Sequence, residues 1–203
     1  MVIDMEKEWD EIYSHADLAS IPFSELKPPL KLQKLAETLD KGAALDIGCG
    51  FGATSVYLAK KGFSVTALDI SRKALEIAGT MAKKEHVKIN LVHGSAHDLK
   101  FPKTAFSLIV DIGCFHHLPK ELLEDYVVSV HGALKENGHY FLECFSRPQE
   151  FGSSFTEGDI RSLFSPYFNI DTIDEQRNVG LGGDVYVYTA IMRKISLFNN
   201  PGK

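Results

Sequence analysis

Apolar and polar positions follow two rhythms along this chain, and the switches between them lay out the elements. Residues 1–30 carry Trp9, Tyr13, Ile21, Phe23 and the pair Pro28-Pro29, with apolar positions too sparse for a core helix, so a short helix and an extended arm are expected. Leu30, Leu32, Leu35 and Leu39 fall on one helical face, and that helix ends near Gly42. Ala43 to Ile47 has the continuous apolar character of a buried parallel strand. Thr54 to Lys60 is the helix after it, closed by Gly62, and Phe63 to Leu68 is a second strand with Val65 and Ala67 inward. Ser71 is set to cap a third helix, 72–83, through its hydroxyl. Lys88 to Val92 reads as a third strand, Gly94 to Ala105 as a polar loop, and Phe106 to Asp111, nearly all apolar, as a central fourth strand.

Behind Pro119, residues Leu122, Leu123, Tyr126, Val127, Val130 and Leu134 keep helical spacing until Asn137-Gly138, and His139 to Phe145 forms a fifth strand. Thr156 with Asp159 has the form of a capping box for a helix to Phe164. Asn169 to Ile173 and Val185 to Ile191 read as strands joined by the turn around Gly180, Gly182 and Gly183, hence an antiparallel pair. Alternating strands and helices with a closing hairpin predict an α/β doubly wound sheet, mostly parallel, with an antiparallel C-terminal edge and helices on both faces. No internal repeat or second domain is visible: 1–30 is an arm, 31–193 the core and 194–203 a flexible tail.

The bulk properties narrow the partners. At 203 residues the chain suits one domain of the usual ~100 to 200 residues. A net charge of −5 with scattered basic residues argues against nucleic acid and for a small-molecule substrate. The charged start, 1–10, lacks a signal peptide's apolar core, and no apolar run nears the ~18 residues of a membrane span, so a cytoplasmic protein, monomer or weak homodimer, is expected. Cys49, Cys114 and Cys144 sit in or beside apolar runs, as reduced buried thiols do.

The stretch Leu45-Asp46-Ile47-Gly48-Cys49-Gly50-Phe51-Gly52 organises the rest: an apolar strand stopping in glycines at alternate positions, then a helix. Glycine permits the tight turn, and the open N–H groups at the helix start would cradle an anionic group such as a carboxylate. The dinucleotide fingerprint has its third glycine three residues after the second; here it follows after two, at Gly52. The tighter turn suits a ligand without a phosphate. Asp69, ending the second strand, is placed for two ribose hydroxyls, although an acid there also suits the cap of the following helix.

On these residues the chain resembles the class I S-adenosylmethionine-dependent methyltransferases, from about Leu45 to Arg193. The resemblance implies a single Rossmann-like, seven-stranded sheet that binds S-adenosyl-L-methionine and releases S-adenosyl-L-homocysteine. The implied cofactor contacts are Asp46, Gly48, Cys49, Gly50, Gly52, Asp69, Ile70 against adenine, Ser95 and Ala96, then Asp111 and Ile112. Ser95 departs from the aspartate the family often has there. The segment Asp111 to Leu118, together with Trp9, Tyr13 and Ile21-Pro22-Phe23, resembles the thiopurine S-methyltransferase and tellurite-resistance branch, which uses an N-terminal lid and methylates small, soft nucleophiles such as thiols. Phe23 stands where many of that branch have Trp.

His116 and His117 are the candidate catalytic bases, since imidazole titrates near neutral pH; capping and packing under the next helix is the competing reading. Trp9, Tyr13, Phe23, Phe115, Arg147 and Tyr186 are candidate substrate contacts, with a solvated surface role the alternative for Arg147. The Cys and His spacing matches no zinc pattern, so no metal is expected. Two other functions share these motifs: a non-catalytic S-adenosylmethionine-binding module and, lacking the third glycine at its spacing, a nicotinamide-dependent oxidoreductase.

Overall fold

The computed structural model describes residues 5–15, 27–150, 152–179 and 184–196. Among these residues seven strands form one sheet, in which their chain positions run 3-2-1-4-5-7-6 from edge to edge. The backbone divides into two compact units, 1–96 with 179–184 and 97–178 with 185–203.

The first unit runs α1 (Met5–His15), α2 (Leu30–Thr38), β1 (Ala43–Ile47), α3 (Ala53–Lys60), β2 (Ser64–Asp69), α4 (Arg72–Lys84) and β3 (Asn90–His93). β1 lies parallel to β2, Ala43 opposite Ser64 and Ile47 opposite Leu68, and β2 parallel to β3, Asp69 opposite His93. This register brings Ile47 and Asp69, the last residues of β1 and β2, to one end of the unit. The third strand starts two residues later than Lys88 and ends at His93. Ser71 caps α4 as expected, its hydroxyl oxygen accepting from Ala74 N–H at 3.1 Å. Gly52 is required where α3 meets α4: it has φ +79°, and a Cβ there would lie 2.8 Å from the Ala78 Cβ.

The second unit runs β4 (Phe106–Ile112), short 3-10 turns at Phe115–His117 and Lys120–Leu122, α5 (Leu123–Ala133), β5 (Leu134–Phe145), α6 (Glu157–Phe164), β6 (Phe168–Val179) and β7 (Asp184–Lys194). β4 and β5 are parallel, β5 and β7 antiparallel with Glu143 opposite Thr189. The capping box forms in both directions, Asp159 N–H to the Thr156 hydroxyl and Thr156 N–H to the Asp159 carboxylate.

The helix expected to run to Asn137 stops at Ala133, because fully buried Leu134 already pairs with Phe106 of β4. Asn137, at φ 59°, lies in the irregular stretch between that pair and His139 opposite Leu108. The last two strands also run longer than their apolar centres at both ends. Tyr126, Tyr140, Phe115, Phe164 and Phe168 are fully buried and form the aromatic core of this unit.

Ile21, Phe23, the Gly180–Gly183 turn and residues 197–203 lie outside the described residues. Among the described residues no helix is long and apolar enough to cross a membrane.

Candidate functional site

In the first unit the glycine turn, Asp69 and the start of α4 are one hydrogen-bonded assembly. Asp69 is 6 % exposed. Its Oδ2 accepts from Gly50 N–H at 2.9 Å and its Oδ1 from Ser71 N–H at 2.8 Å. The carboxylate is thereby fixed by both flanking loops. Burial pushes the Asp69 pKa up, with a smaller push from the nearby Asp10 charge, against the pull of its backbone donors.

The glycine turn is tied down by hydrogen bonds. Three of its N–H groups are not open for a ligand: Cys49 N–H donates to Leu68 O, Gly50 N–H to Asp69 and Gly52 N–H to Cys49 O. What the glycines provide is a surface without Cβ atoms. At Gly50, whose φ of +51° itself favours glycine, a Cβ would lie 2.9 Å from the Tyr13 hydroxyl of α1, so a side chain there would push the tyrosine ring tip aside.

Tyr13 also meets Phe51 edge-on at 5.1 Å and Trp9 at 5.9 Å. The two arm aromatics assigned above to substrate therefore cluster at the glycine turn. Asp46, 2 % exposed, accepts from the Ser55 hydroxyl at 2.6 Å and ties β1 to α3. Ile70 stands beside Asp69 half-buried, its carbonyl 2.9 Å from His93 Nε2. Gly48 has φ 63°; Ser95 is half-buried and Ala96 buried after β3.

In the second unit Asp111 is fully buried. Its Oδ1 accepts from the N–H groups of Cys114 and Phe115 at 2.9 and 3.1 Å, and its Oδ2 from the Tyr126 hydroxyl at 2.6 Å, with the Tyr140 hydroxyl 2.8 Å beyond. The expectation of a cofactor contact by this side chain is corrected: it shapes the turn that carries the histidines. Phe115, expected at the substrate, is likewise fully buried against Tyr126, Phe155 and Phe164, while Ile112 is half-buried at the strand end.

Burial pushes Asp111 up to about 6 from its ordinary 3.8. The folded chain then holds a proton that the unfolded chain releases, so this group's contribution is complete below pH 3.8, falls as pH rises toward 6, and is flat above. The fall is roughly 3 kcal/mol. Asp111→Asn is expected to remove it while preserving the fold, because the Tyr126 hydroxyl can accept from the new amide and donate to Tyr140. Urea unfolding of both chains at pH 4 and 7 checks this; parallel pH profiles contradict it.

His116 is 4 % exposed, stacked on Phe145 with ring centroids 3.7 Å apart, and its Nδ1 accepts from Phe145 N–H at 3.3 Å. The neutral ring therefore carries its proton on Nε2. Burial holds His116 well below its ordinary value, helped by neighbouring His117, and burial pushes His117 down to about 4. Gly152 lets the following loop close over both rings, since a Cβ there would lie 3.1 Å from His116 Cδ2 and 3.3 Å from His117 Cε1.

Arg147 pairs with Glu175 at 3.1 Å, and its guanidinium lies 3.4 Å over the Tyr186 ring, so the structure brings these two candidates together on an exposed surface. A surface cleft lined by His97, Asp98, Asp125, Val128 and Ser129 contains none of the predicted site residues. No disulfide joins the cysteines. The pattern missed the hydrogen bond from Ser71 N–H to Asp69, and the parts played by Tyr126, Tyr140 and Asp10. Asp10 had a readable signal, because the first turn of α4 lacks an acid of its own.

Comparison with known proteins then decides the family. Residues 44–138 match the methyltransferase domain model. An uncharacterized methyltransferase of Schizosaccharomyces pombe is 32% identical over 58% of this chain and 77% of its own length.

The chain belongs to the methyltransferase family.

The methyltransferase is also 28% identical to 2-heptyl-1-hydroxyquinolin-4(1H)-one methyltransferase of Mycobacteroides abscessus, over 77% of this chain and 72% of that one. It spans about half the length of the ubiquinone biosynthesis O-methyltransferases it matches. Its fold is that of Burkholderia thailandensis 1,6-didemethyltoxoflavin-N1-methyltransferase, solved with S-adenosylhomocysteine, at TM-score 0.70 and 19% identity over 94% and 84% of the chains.

S-adenosyl-L-methionine is the cofactor of this methyltransferase, and the residues present fit it. At the end of β2 the carboxylate of Asp69, braced by Gly50 N–H and Ser71 N–H, is an acceptor of the kind a ribose diol requires.

Proposed function

We propose that the chain transfers a methyl group from S-adenosyl-L-methionine to a small-molecule acceptor. The observation that carries this is Asp69, its two oxygens held by Gly50 N–H and Ser71 N–H beside a glycine turn spaced more tightly than the dinucleotide fingerprint. When bound, the cofactor supplies an electrophilic methyl group on a sulfonium. Asp69 would hold the ribose, Ile70 would pack on the adenine, and Tyr13 would cover the turn at Gly50 and exclude water.

The histidines bear on the acceptor. With His117 pushed down to about 4, and with His116 buried and its Nδ1 already accepting a hydrogen bond, neither imidazole is a strong base at neutral pH. This favours an acceptor whose lone pair is available without help: a thiol or other soft nucleophile, an acidic hydroxyl or a ring nitrogen. Catalysis is then mainly alignment, as in the thiopurine and tellurite branch, and the α1 aromatics over the turn support that likeness. The reading includes a cytoplasmic monomer or weak homodimer.

Incubation with S-adenosylmethionine and single acceptors is expected to release S-adenosylhomocysteine with at least one of a thiopurine, thiophenol, tellurite, a 1-hydroxyquinolin-4-one or 1,6-didemethyltoxoflavin. Release with none of them, by a chain that binds the cofactor, would favour a binding module without turnover.

A further inference from the structure

None of the residues of helix α1 is buried, and besides the ring contact of Tyr13 with Phe51 it is held to the first unit by polar contacts. Their centre is Asp10. Its Oδ1 accepts from the Ser71 hydroxyl at 2.6 Å and from Lys73 N–H at 3.1 Å, partners that lie 61 and 63 residues later in the chain. Glu6, one turn earlier in α1, adds Arg72 at 3.4 Å and His93 at 3.1 Å.

The first turn of α4 explains why an acid is drawn there. Ser71 satisfies Ala74 N–H, the usual work of a cap, but the turn carries no carboxylate to meet its positive end. Asp10 supplies that carboxylate from another helix and takes the N–H of Lys73. Ser71 is thereby shared three ways: its oxygen accepts from Ala74, its hydroxyl donates to Asp10, and its own N–H donates to Asp69. One residue joins the docking of α1 to the carboxylate proposed for the ribose.

We infer that Asp10 is a positioning residue for the cofactor: by capping α4 from α1 it fixes Ser71, and through Ser71 the orientation of Asp69, without touching the ligand itself. Docking of α1 and capture of the ribose are then coupled, each strengthening the other by the same factor. The coupling rests on the proposed ribose contact of Asp69. It also gives the arm a role in cofactor affinity, beyond any cover over the acceptor.

A double-mutant cycle separates this from a structural role. S-adenosylhomocysteine is titrated calorimetrically into the unaltered chain, Asp10→Ala, Asp69→Asn and the pair. Ser71→Ala is avoided because it also uncaps α4, and thermal unfolding of each ligand-free chain checks folding. Asp10→Ala is expected to weaken binding about fivefold, the low end for coupled sites, and by less than about twofold when Asp69 is already Asn. Equal losses in both backgrounds, or no loss in either, overturn the inference and leave the ribose contact standing. Unchanged affinity in Asp69→Asn removes the ribose contact and the inference together.

Discussion

Asp69→Ala is expected to weaken S-adenosylhomocysteine binding by at least about tenfold and, at about 1.5 kcal/mol for each of two charge-assisted hydrogen bonds, by roughly a hundredfold. The same change strips Gly50 N–H and Ser71 N–H of their acceptor. The ligand-free chain should therefore also lose about 1–3 kcal/mol of stability for each donor left buried and unpaired. Calorimetry and urea unfolding measure the two losses separately. A stability loss with unchanged affinity would mean that Asp69 only braces the loops and that the ribose is held elsewhere.

Phe115→Ala should be the more damaging change to the fold. The ring is fully buried against Tyr126, Phe155 and Phe164, with centroids 5.4, 4.7 and 5.5 Å away. Truncating a phenylalanine so placed costs about 3–5 kcal/mol through lost burial and the cavity left behind. Because the ring anchors the turn carrying His116 and His117, turnover should fall as well. Urea unfolding at fixed pH measures the first effect. A loss below about 1 kcal/mol would show a ring facing a substrate cavity, as the sequence alone suggested.

These two residues mark what could be read from the chain and what could not. Asp69 and the glycine turn were legible because they sit at the junction of two local patterns, an apolar strand and a helix. Strand ends in a doubly wound sheet are where ligands bind. The Ser71 cap and the Thr156 capping box were legible for the same reason, since each is settled within a few residues.

Phe115 and Asp111 were misplaced because their partners are distant. Only the packing of α5 and β5 brings Tyr126 and Tyr140 to Asp111, and only α6 brings Phe164 to Phe115. A polar residue at a strand end looks the same in sequence whether it faces a ligand or a buried tyrosine. The helix end at Ala133 was lost to a tertiary contact too, since helical spacing continued through Leu134 while Phe106 claimed that residue for the sheet.

Methyl transfer by this chain requires that the bend at Gly48–Gly52 and the carboxylate of Asp69 hold a sulfonium nucleoside. The most direct measurement is calorimetric titration of the unaltered full chain with S-adenosylhomocysteine and, separately, with a nicotinamide dinucleotide. Saturable one-to-one binding of the first and none of the second is the predicted result. Binding of the dinucleotide with no heat from S-adenosylhomocysteine would contradict it.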